Sequence, residues 1–337
     1  MFESSIVDGI EYVFPMDSND LIIRSVKEDH TIPCAYNIDF IKYFADPDDG
    51  YIIDAGCHIG TYSLPLAKDG YNVIAIDACI ESIQCLNASI NMNNIPNILT
   101  INACLSDCKQ LCSFNSNTDA TSAIDLNPLV DLDPLPLPNL LAIEKFISKP
   151  LTDSSKVTIE TSTLDDIIGT KNCSLIKLDV EGHEKEVLMG STGIIKNHSP
   201  SLLIEINTCL LEQNNTDPRE IFKVLDDLSY DIFICTYQGS ADSQQYRLQP
   251  IKPTDIFPFC VIDVLCLHNT YDKSKLEMHD YFTVGDIADQ FNNPKIRMYD
   301  KESPCYSYFD RAFSELINNQ VISLGSTNLR RNRRSIY

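Results

Sequence analysis

The sequence predicts an α/β fold: a doubly wound, mostly parallel seven-stranded sheet with helices on both faces. Short apolar runs alternate with helical patterns, which is typical of a parallel sheet. A turn with two glycines follows the first apolar run and opens into a helical pattern. Two late apolar runs, 230–236 and 261–268, are joined by a polar linker without helical periodicity. This linker predicts an antiparallel hairpin at one edge of the sheet.

The expected elements follow one another in regular order. The strands are short and apolar, as strands covered on both faces are. Before the hairpin, they cover 51–55, 72–77, 97–103, 174–179 and 201–207. The expected helices cover 59–68, 81–92, 184–196 and 217–228.

A long insertion interrupts the expected domain at about residues 121–156, between strands expected at 111–115 and 157–163. Five prolines within 127–150 exclude a continuous helix or a central strand there. A loop of this length is either a functional lid or a disordered segment. Because it leaves the core between the third and fourth strands of the sheet, we expect it to border a binding pocket.

The chain of 337 residues is expected to form one main domain with an extension at each end. The N-terminal extension covers 1–36, the main domain covers 37–268, and the C-terminal extension covers 269–337. We expect a helix over 308–320 in the C-terminal extension. The sequence does not predict an oligomeric state.

The balance of charges argues against a nucleic-acid partner. Acidic residues outnumber basic ones by 48 to 26, which gives a formal net charge of −22. A surface that binds nucleic acid needs clustered Lys and Arg to neutralise phosphates. The basic cluster at 330–334 is either a solvated terminus or a tail for an acidic partner or a membrane surface.

Cysteine usage and hydropathy predict a cytoplasmic protein with reduced thiols. The 13 cysteines are odd in number, and a chain of this length does not need disulfides. Neither a run of 18 apolar residues nor a signal-peptide pattern is found, so we expect no membrane-spanning segment. Cys104, Cys108 and Cys112 are spaced four and four apart, and we expect packing thiols there, not ligands of a metal or cluster.

The turn after the first strand has the residues of a cofactor loop. It reads Asp54-Ala-Gly56-Cys-His-Ile-Gly60, and its glycines let the backbone turn sharply and approach a ligand. Asp77 ends the next strand, where a carboxylate can accept both hydroxyls of a ribose. A dinucleotide loop has glycine where this chain has His58. Asp54, the acid that precedes the glycines of the loop, suits a cationic ligand. The loop therefore favours S-adenosylmethionine, which carries an ammonium, a sulfonium and no phosphate.

The fourth strand ends in a charged cluster, Lys177-Leu-Asp179-Val-Glu181-Gly182-His183-Glu184. Ligands of open α/β sheets bind beyond the carboxyl ends of the strands, at a switch point that strands one and four flank here. We expect Asp179 and Glu181 to serve a function and Glu184 to cap the following helix. His183 is either a base at the rim of the same cavity or a surface histidine at a helix start.

At these motifs the sequence resembles the FkbM family of methyltransferases, over about residues 37–268. The most specific part is IKLDVEGHEKEVLMG at 176–190. The family has a small residue where this chain has Cys57, and Glu where it has Asp77. Further matches are DAGCHIG at 54–60, Asn91, Asn94, NACLSD at 102–107, STLDDI at 162–167 and PSLLIEI at 200–206.

The resemblance implies a class I methyltransferase-like, Rossmann-like fold that transfers a methyl group from S-adenosylmethionine to oxygen. The implied acceptors are hydroxyls of sugars, glycans or small metabolites. The candidate catalytic residues are Lys177, Asp179, Glu181 and His183. The candidate donor-binding residues are Asp54, Gly56, Cys57, His58, Gly60, Asp77, Ala78, Asn102, Ala103 and Asp179.

Two other functions compete with O-methyl transfer. A non-catalytic module could bind adenosylmethionine on the same fold, although the loop residues that such modules lose are intact here. An NAD-dependent enzyme is disfavoured by His58. Within methyl transfer, Asp179 or His183 can take the proton. A divalent metal ion between Asp179, Glu181 and Glu205 is a further alternative.

Overall fold

The computed structural model describes residues 2–115, 124–125, 156–238, 245–277 and 282–284, except residues 17, 19, 34, 256 and 258–260. The chain divides into two units, Met1–Ser201 and Leu202–Tyr337. Most of the proline-rich insertion and the helix expected at 308–320 lie outside the described residues. No helix in the described part of the chain has the length and apolar character needed to cross a membrane.

The first unit begins with a β-hairpin, after which strands and helices alternate. Its strands are β1 (Phe2–Val7), β2 (Ile10–Pro15), β3 (Tyr51–Ala55), β4 (Asn72–Asp77), β5 (Ile98–Asn102), β6 (Cys104–Leu105), β7 (Leu111–Asn115), β8 (Ile124–Asp125), β9 (Lys156–Ser162) and β10 (Cys173–Leu178). Its helices are α1 (Leu21–Arg24), which continues as a π-helical turn over Ser25–Asp29, α2 (Tyr36–Phe44), α3 (Ser63–Lys68), α4 (Ile80–Asn93), α5 (Leu164–Ile168), α6 (Glu184–Met189) and α7 (Thr192–His198).

Four parallel strands form the centre of the first unit, in the order β10-β3-β4-β5. Their apolar residues are buried, and residues 73–76 of β4 are completely inaccessible to solvent. The register brings the carboxyl ends of the strands to one edge, since Ala55 lies opposite Leu178 and Asp77 lies opposite Asn102. The expected α/β fold with a parallel core is confirmed.

A smaller sheet, in the order β6-β9-β7-β8, lies where the chain enters and leaves the proline-rich insertion. β7 and β9 are antiparallel, and Asn115 lies opposite Lys156. The two ends of the insertion are therefore held side by side. Cys104 and Cys112 are buried here with their sulfurs 3.9 Å apart, as expected of packing thiols, whereas Cys108 is exposed and does not pack.

The single helix expected after the charged motif is in fact two helices, α6 and α7. The break lies at Gly190, where a Cβ would stand 2.2 Å from the carbonyl oxygen of Ser106. The helical periodicity of the sequence gives no sign of this close backbone contact. After the break, the carboxylate of Asp165 accepts the N–H groups of Gly193 and Ile194, both at 2.8 Å, and so caps the start of α7.

The second unit contains α8 (Thr208–Gln213), α9 (Pro218–Asp227) and α10 (Ser274–Glu277) among its strands. The strands are β11 (Ser201–Asn207), β12 (Tyr230–Gln238), β13 (Gln245–Ile251), β14 (Val261–His268) and β15 (Phe282–Val284), in the order β15-β13-β12-β14-β11. A capping box between Asp217 and Glu220 begins α9. The helix buries Phe222, whose ring centroid lies 5.3 Å from that of Phe257.

The edge of the second unit differs from the expected hairpin. β12 and β14 pair antiparallel as expected, but the linker between them contains β13, which pairs with the other side of β12. The prediction missed β13 because the linker around it is polar, although QYRLQ within it alternates polar and apolar residues with the period of a strand. Its Tyr246 and Leu248 are nevertheless buried. In the part of the chain that the structure describes, β13 and the short β15 are strands of this unit that the sequence did not predict.

We predict that Asp165→Ala lowers the free energy of unfolding by about 1–3 kcal/mol, because two N–H groups at the start of α7 lose their acceptors. Urea denaturation measures this loss. Asp166→Ala is the matched control, since its exposed carboxylate lies 3.0 Å from Lys109 Nζ and such a pair contributes less than about 1 kcal/mol. Equal losses in the two variants would contradict the capping role.

Candidate functional site

The two sequence motifs meet at the carboxyl edge of the parallel strands. The loop after β3, residues 56–62, is called the β3 loop, and the loop after β10, residues 179–183, is called the β10 loop. Asp179 N donates to Ala55 O at 3.0 Å, which ties the two strand ends together. Gly56 has φ +82°, and a Cβ there would lie 1.7 Å from the carbonyl oxygen of Asp179. Only glycine allows this backbone contact.

The β3 loop contains two further residues in the left-handed region. Gly60 has φ +87°, and a Cβ there would lie 2.3 Å from Leu86 Cδ1 on α4. His58 has φ +51°, which is uncommon for a residue other than glycine. The loop also delays the helix, which begins at Ser63 and not at the expected residue 59. The Cys57 thiol is buried, its N–H donates to Ile76 O at 3.0 Å and its carbonyl oxygen accepts from Gly60 N at 2.9 Å, so Cys57 holds the loop together.

Asp54 is a buried carboxylate at the end of β3, 1% exposed. Its Oδ2 accepts a hydrogen bond from Ser63 Oγ at 2.6 Å, whereas its Oδ1 has no hydrogen-bond partner among the described residues. Burial raises the pKa of Asp54, and the charge of Lys177 and the Ser63 hydrogen bond act in the opposite direction. An unfilled buried carboxylate oxygen is a place where a cation or a donor group would bind.

Asp77, expected to face a ribose, also organises the backbone around it. Its Oδ2 accepts from His58 N at 2.8 Å and its Oδ1 accepts from Cys79 N at 2.7 Å. Burial raises its pKa, while these backbone donors and the charge of His58 act against the rise. A carboxylate has about four lone-pair sites, so Asp77 can still accept from a ligand.

Asn102 and Ala103 hold the turn that follows Asp77. Asn102 Nδ2 donates to the carbonyl oxygens of Asp77 and Ala78, both at 2.9 Å, and Ala103 N donates to that of Asp77 at 3.0 Å. The amide donors of Asn102 are thus directed at the backbone. The resemblance implies that these residues bind the methyl donor, whereas the contacts described here stabilise the turn.

Lys177 and Asp179 lie on one face of the strand end, as the alternation of strand residues predicts. Lys177 Nζ donates to Asp179 Oδ2 at 3.0 Å, and the two side chains are 6% and 27% exposed. The ammonium also lies 4.6 Å from the centre of the Tyr62 ring, a cation–π contact. The exposed part of Asp179 leaves this carboxylate accessible to a ligand.

The β10 loop turns through Glu181 and Gly182, which have φ values of +56° and +94°. Glu184 Oε1 accepts from Val180 N at 3.2 Å and from Gly182 N at 3.0 Å, so Glu184 supports the loop. Both N–H groups precede α6, and the expected capping of that helix by Glu184 stays a prediction. Glu184 Oε2 is buried and has no hydrogen-bond partner among the described residues. Burial raises the pKa of Glu184 to about 7.

Glu181 is the most perturbed acid of the β10 loop. Burial raises its pKa to about 9, and the negative charges of Asp179 and Glu184 add to the rise. A positive φ in a residue other than glycine is a strained conformation that surrounding structure must maintain. The raised pKa favours the protonated form of Glu181, which can donate a hydrogen bond.

His183 lies neither at a cavity rim nor at the surface, the two positions that the sequence left open. It precedes α6, is 2% exposed, and its Nδ1 lies 4.0 Å from Glu186 Oε2. Both expected positions are wrong because the chain turns into α6 directly after Gly182 and carries the ring into the interior. A role of His183 as a base remains a prediction.

Sequence reasoning missed three residues of this site, Asp20, Tyr62 and Ser63. Tyr62 and Ser63 directly follow the glycine loop, so their position was a usable signal. Asp20 has no such signal, because it precedes the loop by more than 30 residues in a segment outside the resemblance. Its Oδ2 lies 3.6 Å from His58 Nε2.

The site is strongly acidic, with one buried lysine among many carboxylates. Its acids are Asp20, Asp54, Asp77, Asp179, Glu181 and Glu184. No group of three or more His, Cys, Asp or Glu side chains among the described residues is arranged to hold a metal ion, so the alternative with Asp179, Glu181 and Glu205 gains no support. The arrangement suits an organic cation that fills the vacant carboxylate oxygens.

Proteins with similar sequences include tRNA/tmRNA (uracil-C(5))-methyltransferases. A tRNA/tmRNA (uracil-C(5))-methyltransferase of Serratia proteamaculans (strain 568) is 27% identical over 124 residues, 36% of this chain and 34% of that protein. That of Yersinia pestis (strain Pestoides F) is 30% identical over 98 residues, 28% of this chain and 27% of that protein. The chain thus spans about a third of the length of these relatives.

Similar solved structures include methyltransferase FkbM from Methylobacillus flagellatus KT, with 16% identity and a TM-score of 0.36 over 65% of this chain and 44% of that chain. Precorrin-6y C5,15-methyltransferase from Geobacter metallireducens GS-15 has 9% identity and a TM-score of 0.35 over 68% of this chain and 85% of that chain. The model of the methyltransferase FkbM domain matches residues 54–232, more than half of the 337 residues. This chain therefore belongs to the FkbM methyltransferase family.

Proposed function

We propose that this chain transfers a methyl group from S-adenosylmethionine to a hydroxyl oxygen of a sugar, a glycan or a small metabolite. The observation that carries the proposal is the acidic strand edge, where Asp54 and Glu184 each bury a carboxylate oxygen without a hydrogen-bond partner among the described residues. Membership of the FkbM family supports the reaction class.

The side chains of the site fit this donor in charge and in hydrogen-bonding capacity. Asp54 would hold the amino group, because an ammonium compensates a buried carboxylate. Asp77 would accept the ribose hydroxyls with the lone pairs that the backbone leaves unused. The remaining candidates, from Gly56 to Gly60, would shape the turn against which the donor lies, since the N–H groups of Gly56 and Cys57 donate to Ile76 O and that of His58 donates to Asp77. When bound, the donor supplies a methyl group already activated by its sulfonium.

The chain's own task is to orient the acceptor and to remove its proton. Asp179 is the partly exposed carboxylate of the site, and it can accept a hydrogen bond from the acceptor hydroxyl. Lys177 holds Asp179 Oδ2 and leaves Oδ1 for this contact. Protonated Glu181 can donate to a second oxygen of the acceptor. Alignment and exclusion of water account for the rest of the catalysis.

The acceptor is best sought among molecules without a polyanionic backbone. The matched relatives are named as tRNA/tmRNA methyltransferases, but they share only about a third of their length with this chain. A net charge of −22 repels phosphate chains. Mass spectrometry of glycans and small molecules, with and without this protein, identifies the acceptor by a mass gain of one methylene.

The proposal predicts a defined ligand preference that calorimetry can test. Adenosylmethionine and adenosylhomocysteine should bind, and NAD should not. A non-catalytic module would bind the first two and transfer nothing. Binding of NAD alone would indicate a dehydrogenase and overturn the proposal, as would the absence of binding by adenosylmethionine to the folded protein.

We predict that Asp54→Asn weakens adenosylmethionine binding at least about tenfold, because a charge-assisted contact contributes roughly 1.5–3 kcal/mol. The variant keeps an acceptor for Ser63 and removes a buried charge, so the melting temperature of the ligand-free protein should not fall. Calorimetry and thermal denaturation measure both effects. Asp69→Asn, an exposed acid paired with Lys42, is the control. Unchanged affinity in Asp54→Asn would remove Asp54 from the donor site.

We predict that Asp179→Asn lowers kcat by about a hundredfold or more and changes donor affinity only a few-fold, since its contact acts mainly in the transition state. The assay uses the acceptor found by mass spectrometry. The pH–rate profile of His183→Gln separates the two candidate bases, because a limb that vanishes in that variant assigns the base to His183. Full turnover in Asp179→Asn would show that the reaction centre lies elsewhere.

We predict that the free energy of unfolding of the ligand-free protein falls as the pH rises from about 5 to 7, and that Glu184→Gln reduces this fall. The pKa of Glu184 is about 7 in the folded protein and near 4.5 when unfolded, so the folded state binds the proton more tightly. The contribution of protonated Glu184 to the free energy of unfolding is present at low pH and is lost as the pH rises through 7. It amounts to at most about 3 kcal/mol. Urea denaturation at several pH values tests this, with exposed Glu81→Gln as control. Identical slopes in wild type and Glu184→Gln would contradict the assignment.

A further inference from the structure

The N-terminal segment before the family match is an integral part of the first unit. β2 is fixed to α4, because Val13 N donates to Ser89 Oγ at 2.8 Å and Glu11 N donates to Asn93 Oδ1 at 2.9 Å. The segment formed by α1 and its π-helical turn, residues 20–29, buries Ile23 and Val26. Its backbone position is therefore set by packing.

Asp20 stands at the start of this segment with a buried carboxylate, 4% exposed. Its Oδ1 accepts from Ile23 N at 2.9 Å and caps α1. Its Oδ2 lies 3.6 Å from His58 Nε2 in the β3 loop, an ion-pair distance. Its negative charge also contributes, after burial and nearer acids, to the raised pKa of Glu181 in the β10 loop. One carboxylate from the N-terminal segment thus lies against the β3 loop.

His58 connects Asp20 to the donor site through its own backbone. The ring faces Asp20, while the N–H of the same residue donates to Asp77 Oδ2 at 2.8 Å. His58 has its ring and its N–H in these two positions in a left-handed conformation, φ +51°. Surrounding contacts must maintain this conformation, because it is uncommon outside glycine. The ring contact with Asp20 is one of the contacts that can maintain this conformation.

We propose that Asp20 is a positioning residue of the donor site, which acts through His58 to hold the β3 loop and Asp77 in the arrangement that binds the donor. The inference rests on the proposed function. It adds a residue that lies outside the matched range, 54–232, and that contacts the site through another side chain. The N-terminal segment is accordingly a component of the donor site.

The test is a double-mutant cycle on adenosylhomocysteine affinity, measured by calorimetry on the full chain. Asp20→Asn keeps the cap on Ile23 N and removes the charge that faces His58, so the melting temperature should change little. We expect Asp20→Asn and His58→Gln each to weaken binding about fivefold to tenfold, and the double variant to bind no more weakly than either. Glu28→Gln, exposed in the same segment, should bind as the wild type does. Hydrogen exchange of residues 54–62 should accelerate in ligand-free Asp20→Asn.

Three outcomes would overturn the inference while the proposed function stands. They are wild-type affinity in Asp20→Asn, additive losses in the double variant, and an equal loss in Glu28→Gln. Asp20→Ser, which can also cap α1, replaces Asp20→Asn if that variant does not fold. If the wild type itself does not bind adenosylhomocysteine, the proposed function fails first and the inference fails with it.

Discussion

The contact between Gly56 and the carbonyl oxygen of Asp179 is the constraint on which the site depends. A Cβ at position 56 would lie 1.7 Å from that oxygen, so the β3 and β10 loops can meet only if position 56 has no side chain. This contact joins two motifs that lie more than 120 residues apart in the sequence. It brings Asp54, Asp77 and Asp179 to one edge, and a larger residue at position 56 would separate them.

The acidic edge has a thermodynamic cost that the apolar strands offset. Burial raises the pKa of Asp54, Glu181 and Glu184, which means that the folded protein disfavours their charged forms. Lys177 compensates part of this charge, and backbone N–H groups compensate another part. Such an arrangement is retained where a ligand completes it, since apolar residues of similar size would give a more stable edge.

Sequence patterns predicted the parallel core and the two motifs because both depend on local residue order. The strands around 51–55 and 72–77 have apolar runs that any sheet covered on both faces requires. The break at Gly190 depends on the backbone of Ser106, which no local pattern encodes. β13 was missed although Tyr246 and Leu248 alternate with polar residues, because the alternation is short and lies within a polar linker.

Side-chain direction was the least predictable property of the site. His183 follows a glycine whose φ of +94° redirects the chain, so its residue type suggested a rim position that the backbone does not allow. Asp77 was expected to serve a ligand, and its contacts with the N–H groups of His58 and Cys79 depend on the closed loop. Asp20 reaches the site through tertiary packing alone.

The pairing of Asn115 with Lys156 has a consequence for how this scaffold can change. The chain between these residues begins and ends at adjacent points, because β7 and β9 pair there. The entropy of closing a flexible loop grows only with the logarithm of its length, by about 0.6 kcal/mol for each doubling. Because the pairing of β7 with β9 already brings these two positions together, a change in the number of residues between them alters the entropy of closure only slightly.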